Sequence, residues 1–124
     1  MDYQFEHINY HVADMPGSVA FYEKALGMKE IRRIAPPGGS VAFTMMGYDT
    51  SDVCLELMWE RDHHGAYDIG DRAYHFCVVT RDFEQSLMAH REMGCVYEEL
   101  PGGRCYFIED PDGHLIEIMR KEQG

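Results

Sequence analysis

Four residues in this 124-residue chain are of types, and in places, that could do chemistry together: His7, Glu56, His75 and Glu117. The two histidines stand 68 residues apart (75 − 7 = 68), in Glu6-His7-Ile8 and Tyr74-His75-Phe76. The two glutamates sit in matching apolar runs, Val53-Cys54-Leu55-Glu56-Leu57-Met58 and His114-Leu115-Ile116-Glu117-Ile118-Met119. A carboxylate in the middle of such a run is expensive to bury unless it is paired, hydrogen-bonded or bound to a metal. Taken singly, each residue has a bland reading, a core histidine or an edge-strand glutamate reaching solvent. Their repeated placement favours a common site. Two imidazoles and two carboxylates suit a divalent transition ion such as nickel, zinc, cobalt or iron, and two carboxylates balance its charge. Four ligands about an octahedral ion leave two positions open for water or substrate oxygens, as in a catalytic rather than a structural site.

The elements that must position these residues come in two similar sets. Glu6 to Ala13 reads as a strand with Ile8, Tyr10 and Val12 on one face and His7, Asn9 and His11 on the other. Asp14 caps a helix with Pro16 in its first turn and Gly27 at its end. Strands follow over 28–34, 41–48 and 53–59. Residues 61–71, rich in His, Gly and Asp, form a linker. The order then repeats: a strand over 73–80, a helix from Asp82 to Gly94, and strands over 95–98, 105–109 and 114–119. Asp14 and Ser18 recur as Asp82 and Ser86 at the same offset of 68 (82 − 14 = 86 − 18 = 68). Before the last strand, Asp110-Pro111-Asp112-Gly113 spells a tight turn. Pro111 presets φ, Asp112 tolerates the turn and Gly113 accepts positive φ. Its register sends Leu115, Glu117 and Met119 to one face and His114, Ile116 and Ile118 to the other, so His114 is not expected to be a ligand. The fold class expected is α+β, a single domain over 1–124 made of two βαβββ modules at about 1–60 and 72–124.

The bulk composition narrows the partners. With 22 acidic and 11 basic residues the formal charge is −11, which disfavours nucleic acid and anionic membrane. No apolar run approaches the roughly 20 residues that span a bilayer, and no signal peptide is visible, so a cytoplasmic location is expected. Cys54, Cys77, Cys95 and Cys105 lack metal-ribbon spacing and read as small core thiols, with Cys54 and Cys77 alternatively lining a pocket. The His63-His64 pair reads as surface.

Three stretches resemble the vicinal oxygen chelate superfamily, with its glyoxalase/bleomycin resistance/dihydroxybiphenyl dioxygenase-like fold, and within it glyoxalase I (lactoylglutathione lyase). They are His7 through Val12-Ala13-Asp14 to Phe21-Tyr22-Glu23-Lys24-Ala25-Leu26-Gly27-Met28; Leu55-Glu56-Leu57; and Glu109-Asp110-Pro111-Asp112-Gly113 to Ile116-Glu117. The resemblance implies paired βαβββ modules and a homodimer in which His7 and Glu56 of one chain meet His75 and Glu117 of the other around one nickel or zinc ion per site. It implies a metal-dependent lyase that isomerises the hemithioacetal of a 2-oxoaldehyde such as methylglyoxal with a thiol. The product is a 2-hydroxyacyl thioester, formed through an enediolate stabilised by the ion. Glu117 would be the base, with Glu56 able to serve on the other face. A glutamate at 56 favours this chemistry over relatives that keep only two histidines and one glutamate, or carry glutamine there.

The chain departs from the glutathione-dependent pattern at three places. His11, Glu60 and Asp71 stand where basic or neutral residues that hold the glutathione carboxylate are expected; Arg33, Arg72 and Arg104 are the remaining cations that could take that part. The alternative readings are a related epimerase or isomerase acting on an acyl thioester, and a metal-free small-molecule binding protein of the same fold.

Overall fold

The computed structural model describes residues 1–122. The elements in chain order are β1 (His7–His11), α1 (Met15–Leu26), β2 (Lys29–Ile34), β3 (Val41–Gly47), β4 (Cys54–Glu60), β5 (His75–Thr80), α2 (Phe83–Met93), β6 (Val96–Glu99), β7 (Cys105–Glu109) and β8 (Leu115–Arg120). Every expected strand and helix is present, with ends displaced by one or two residues. The chain divides into two compact units, Met1–Tyr67 and the residues from Asp68 onward, and the boundary falls inside the expected linker. No helix among the described residues is long and apolar enough to cross a membrane.

Each unit is a βαβββ module. In the first, the sheet order is β1-β4-β3-β2, with β1 parallel to β4 and the other pairs antiparallel. In the second the order is β5-β8-β7-β6 with the same directions. The likeness extends to a fault in the ladder. The outer antiparallel pair slips register between Glu30 and Arg32 in one unit and between Val96 and Glu98 in the other.

Alternation along the strands gives each sheet one core face. Tyr10, Val12, Leu55 and Leu57 are buried in the first unit, and Tyr106, Ile108, Ile116 and Ile118 in the second. At roughly 25 cal/mol per Å² of apolar area, such side chains supply most of the stabilisation. The helices lie on these faces and bring a few satisfied polar groups. Ser86 Oγ and His90 Nδ1 on α2 both meet the Tyr106 hydroxyl of β7, at 2.6 and 2.7 Å.

The helix ends follow the sequence signals unequally. Asp14 Oδ1 accepts from Gly17 N at 3.2 Å, and Gly27 closes α1 at φ 63°. Asp82 occupies the equivalent position before α2 but makes no side-chain cap bond. The last turn forms as expected, with Gly113 N closing on the Asp110 carbonyl at 3.0 Å across Pro111 and Asp112. The buried carboxylate of Asp110 adds to it by accepting from the backbone N–H groups of Asp112 and His114 at 2.9 and 2.8 Å. Gly113 has φ 88°, as expected of the residue that ends the turn.

The unequal caps make a direct comparison. Asp14→Ala is expected to cost about 1 kcal/mol, as loss of an N-cap usually does, and Asp82→Ala about 0.5 kcal/mol or less, as for an ordinary surface change. Urea denaturation at unchanged m-value measures both; equal losses would contradict the assignment.

Candidate metal centre

The face of each sheet opposite its helix brings a histidine of the first strand up to a glutamate of the last. In the first unit, parallel pairing sets His7 beside Cys54, and Glu56 lies two residues further along β4. In the second, His75 pairs with Leu115, and Glu117 lies two residues further along β8. Both histidines therefore meet their glutamates through the same register, and alternation puts each pair on one face. His7 Nε2 lies 3.5 Å from Glu56 Oε1, and His75 Nε2 lies 3.2 Å from Glu117 Oε1. The carboxylates are mostly withdrawn from water, at 17% and 19% exposure for Glu56 and Glu117.

The surroundings of each pair differ. His7 Nδ1 is hydrogen-bonded to Glu6, and Asn9 Nδ2 donates to Glu56 Oε1 at 2.9 Å. The bond to Glu6, reinforced by the charge of Glu56, holds the His7 imidazolium favoured and its pKa above the ordinary value, against a partial opposing effect of burial. The position equivalent to Asn9 is Cys77 (9 + 68 = 77), which pairs with Glu117 across the β5–β8 ladder. Burial, then the charge and hydrogen bond of Glu117, push the Cys77 thiol up to about 11. Burial and the same carboxylate raise Cys105 on β7. Both thiols are thus held neutral rather than nucleophilic, and Cys77 Sγ donates to the Val78 carbonyl at 3.5 Å. The ring of His75 stands edge-on against Phe107 at 4.9 Å.

The donor set fits a divalent transition ion. A proton on His7 Nε2, facing Glu56 Oε1, is what the raised pKa favours; a divalent cation would displace that proton and take the Nε2 lone pair and the carboxylate oxygen as two donors, with Nδ1–H kept on Glu6. Each unit brings one imidazole and one carboxylate. Among the described residues, no three of His, Cys, Asp and Glu are grouped so as to hold a metal ion.

The other expectations divide. His114 is buried on the core face, with Nδ1 at 2.7 Å from the Tyr74 hydroxyl, as its place opposite Glu117 required. Of the four cysteines, only Cys95 is a core residue. Cys54 and Cys105 are half-buried and Cys77 is exposed, because three of them fall on the helix-free faces. His11 Nε2 faces Glu60 Oε1 at 3.4 Å, and the Tyr67 hydroxyl donates to that same oxygen at 3.2 Å. His63 stacks on Tyr67 at 3.7 Å. Two of the arginines that could have met a substrate carboxylate are engaged, Arg33 with Glu30 and Arg72 with Glu109. Sequence reasoning did not single out Asn9 or Cys105. Asn9 was within reach of it, two residues after His7 on the same face; Cys105 depends on the β7–β8 register, which no local pattern announces.

The family model of the Glyoxalase/Bleomycin resistance protein/Dioxygenase superfamily matches residues 4–118, and the chain belongs to that superfamily. Within it, the chain is 33% identical over 128 residues to the lactoylglutathione lyase of Neisseria meningitidis, covering 95% of this chain and 91% of that protein. It is 30% identical to a lactoylglutathione lyase of Arabidopsis thaliana, over 95% of this chain but 44% of the relative, so it spans less than half of that plant protein. Among solved structures, the trypanothione-dependent glyoxalase I of Leishmania major superposes with a TM-score of 0.85 at 28% identity, over 96% of this chain and 87% of the other.

Asn9 steadies a candidate ligand, and such supporting bonds are commonly worth 10- to 100-fold in metal affinity. Asn9→Ala is expected to weaken nickel or zinc binding by about tenfold while leaving the unfolding midpoint of the metal-free protein nearly unchanged, by calorimetry and thermal denaturation. Unchanged affinity would mean that Glu56 is not a ligand.

Proposed function

We propose that this protein is a metal-dependent glyoxalase I-like lyase, which isomerises the hemithioacetal of a 2-oxoaldehyde such as methylglyoxal to a 2-hydroxyacyl thioester. The observation that carries the reading is the twice-built His–Glu pair on helix-free sheet faces, in a chain related to lactoylglutathione lyases along nearly its whole length. His7, Glu56, His75 and Glu117 would hold one divalent ion, nickel or zinc. A two-donor half-site is too few for such an ion, so a homodimer is inferred in which His7 and Glu56 of one chain act with His75 and Glu117 of the other. When bound, the ion supplies Lewis-acid stabilisation of charge developing on the vicinal oxygens of the substrate.

The chain's own residues have distinct parts in this scheme. Glu117 takes the proton from C1 of the hemithioacetal and returns it to C2, while the proton of the C1 hydroxyl ends on the C2 oxygen, so that atoms balance and no redox partner is needed. Its neighbours favour that part. Glu56 is fixed by the amide of Asn9, whereas the residue set against Glu117 at the equivalent place is Cys77, whose thiol donates to the Val78 carbonyl and leaves the carboxylate less firmly held. Low exposure of both carboxylates limits competition from water.

The thiol is a separate matter. On the face that carries His7 and Glu56, beyond Asn9 and Met58, stand His11 and Glu60, already paired with one another. A charge-assisted clamp on a substrate carboxylate is worth about 1.5–3 kcal/mol, or roughly ten- to a hundredfold. Without it, hemithioacetals of glutathione and of small thiols lacking the glutamyl carboxylate are expected to differ by less than about tenfold in kcat/KM. A larger preference for glutathione would contradict this part of the reading.

The test of the activity is direct. Nickel- or zinc-loaded protein should convert methylglyoxal hemithioacetals to 2-hydroxyacyl thioesters, and chelation should abolish turnover. Glu117→Gln should lower kcat by about two or more orders of magnitude, the usual contribution of a positioned base. Loaded protein inert with several thiols would overturn the assignment.

A further inference from the structure

We propose that Arg72 is a positioning residue that clamps the turn before β8 to the run-in of β5 and so sets the meeting of His75 with Glu117. This rests on the reading of those two residues as a half-site. Arg72 is the one non-glycine residue among those described with positive φ, at 60°. An L-residue holds that conformation only where its surroundings impose it. Here they do so from three sides. Its Nη1 donates to Glu109 Oε2 at 2.8 Å and to the carbonyl of Gly113 at 3.1 Å, and its guanidinium lies over the ring of Tyr97 at 4.6 Å. The side chain is only 27% exposed.

Glu109 and Gly113 bracket the Asp110-Pro111-Asp112 turn, so one guanidinium grips both of its ends. The backbone behind it is shaped for the same contact. Asp68 Oδ1 accepts from Gly70 N at 3.0 Å, Gly70 has φ 64°, and Arg72 N closes back on Ile69 O at 3.4 Å. A Cβ on Gly113 would stand 3.5 Å from Ile69 Cδ1 and 3.6 Å from Arg72 Nη1, so segment and turn are in van der Waals contact. His75 lies three residues beyond Arg72, and Glu117 four beyond Gly113. The arginine thus ties together the two chain segments that deliver the pair, just ahead of the Tyr74–His114 bond and the His75–Leu115 register where the ladder begins. Arginine suits the task because its planar fork reaches two acceptors while its face stacks on an aromatic ring, and lysine offers only a point charge.

The first unit contains its own control. The position equivalent to Arg72 is Gln4 (72 − 68 = 4), an exposed residue. His7 and Glu56 there meet at 3.5 Å without such a clamp.

Arg72→Gly separates strain from clamping, because glycine accepts φ 60° freely and loses every side-chain contact. In metal-free protein, the imidazole NMR signals of His75 are expected to shift in Arg72→Gly and Arg72→Ala while those of His7 stay in place. Nickel affinity should fall by about tenfold in both, as for other residues that orient a ligand, and Arg72→Lys should recover only part of the loss. Unmoved His75 signals, or a lowered melting temperature with parental nickel affinity, would overturn the proposal and leave Arg72 a merely structural residue. Should the parent protein bind no nickel, the metal reading fails by itself, and the His75 signals of the metal-free variants still decide the clamp.

Discussion

The structure depends on one constraint, the parallel pairing of the first and last strands in each module. A parallel ladder with a fixed register brings together residues from opposite ends of a module: His7 with Glu56, and His75 with Glu117. The remaining elements serve that pairing. The helix carries the chain from the first strand to the far edge of the sheet, and the two strands that follow it lead back to the last, extending the sheet so that its core face can bury the aliphatic side chains that hold the register. A slip of one residue would send Glu56 or Glu117 into the apolar core and bring Leu55 or Ile116 to the surface. The cost of burying a lone carboxylate is therefore part of what fixes the register.

Much of this was legible in the sequence because the signals were local or repeated. Helix caps at Asp14 and Gly27, the alternation around Glu117 and the offset of 68 residues between His7 and His75 each follow from short-range chemistry. The superfamily resemblance proved sound, as did the two-module architecture. What was not legible depended on contacts between strands. Asp82 looks like Asp14 in sequence, yet its side chain does not cap. The cysteines looked like core residues by type, but the strand faces on which Cys54, Cys77 and Cys105 fall are the helix-free ones. Arg72 read as a cation that could take a substrate carboxylate, when its conformation and its partners Glu109 and Gly113 make it internal structure.

The repeated module makes the two His–Glu pairs alike in geometry and unlike in their surroundings. Glu56 has an amide donor in Asn9, while Glu117 has thiols in the equivalent and neighbouring places. His7 is oriented by a carboxylate, Glu6, and His75 by an aromatic edge, Phe107. Such asymmetry is what a site needs if one glutamate is to hold an ion steadily and the other is also to move a proton.

The central claim is that the two half-sites belong to one metal centre built from two chains. Mixing a His7→Ala variant with a His75→Ala variant, after mild dissociation and reassociation, tests it most directly. Each variant alone lacks one ligand at every shared site. A mixed pair has one site with both histidines intact and one with neither. Recovery of about one tight nickel site per mixed dimer, absent from either variant alone, is the result this account predicts; mixtures that bind no better than their components would contradict it.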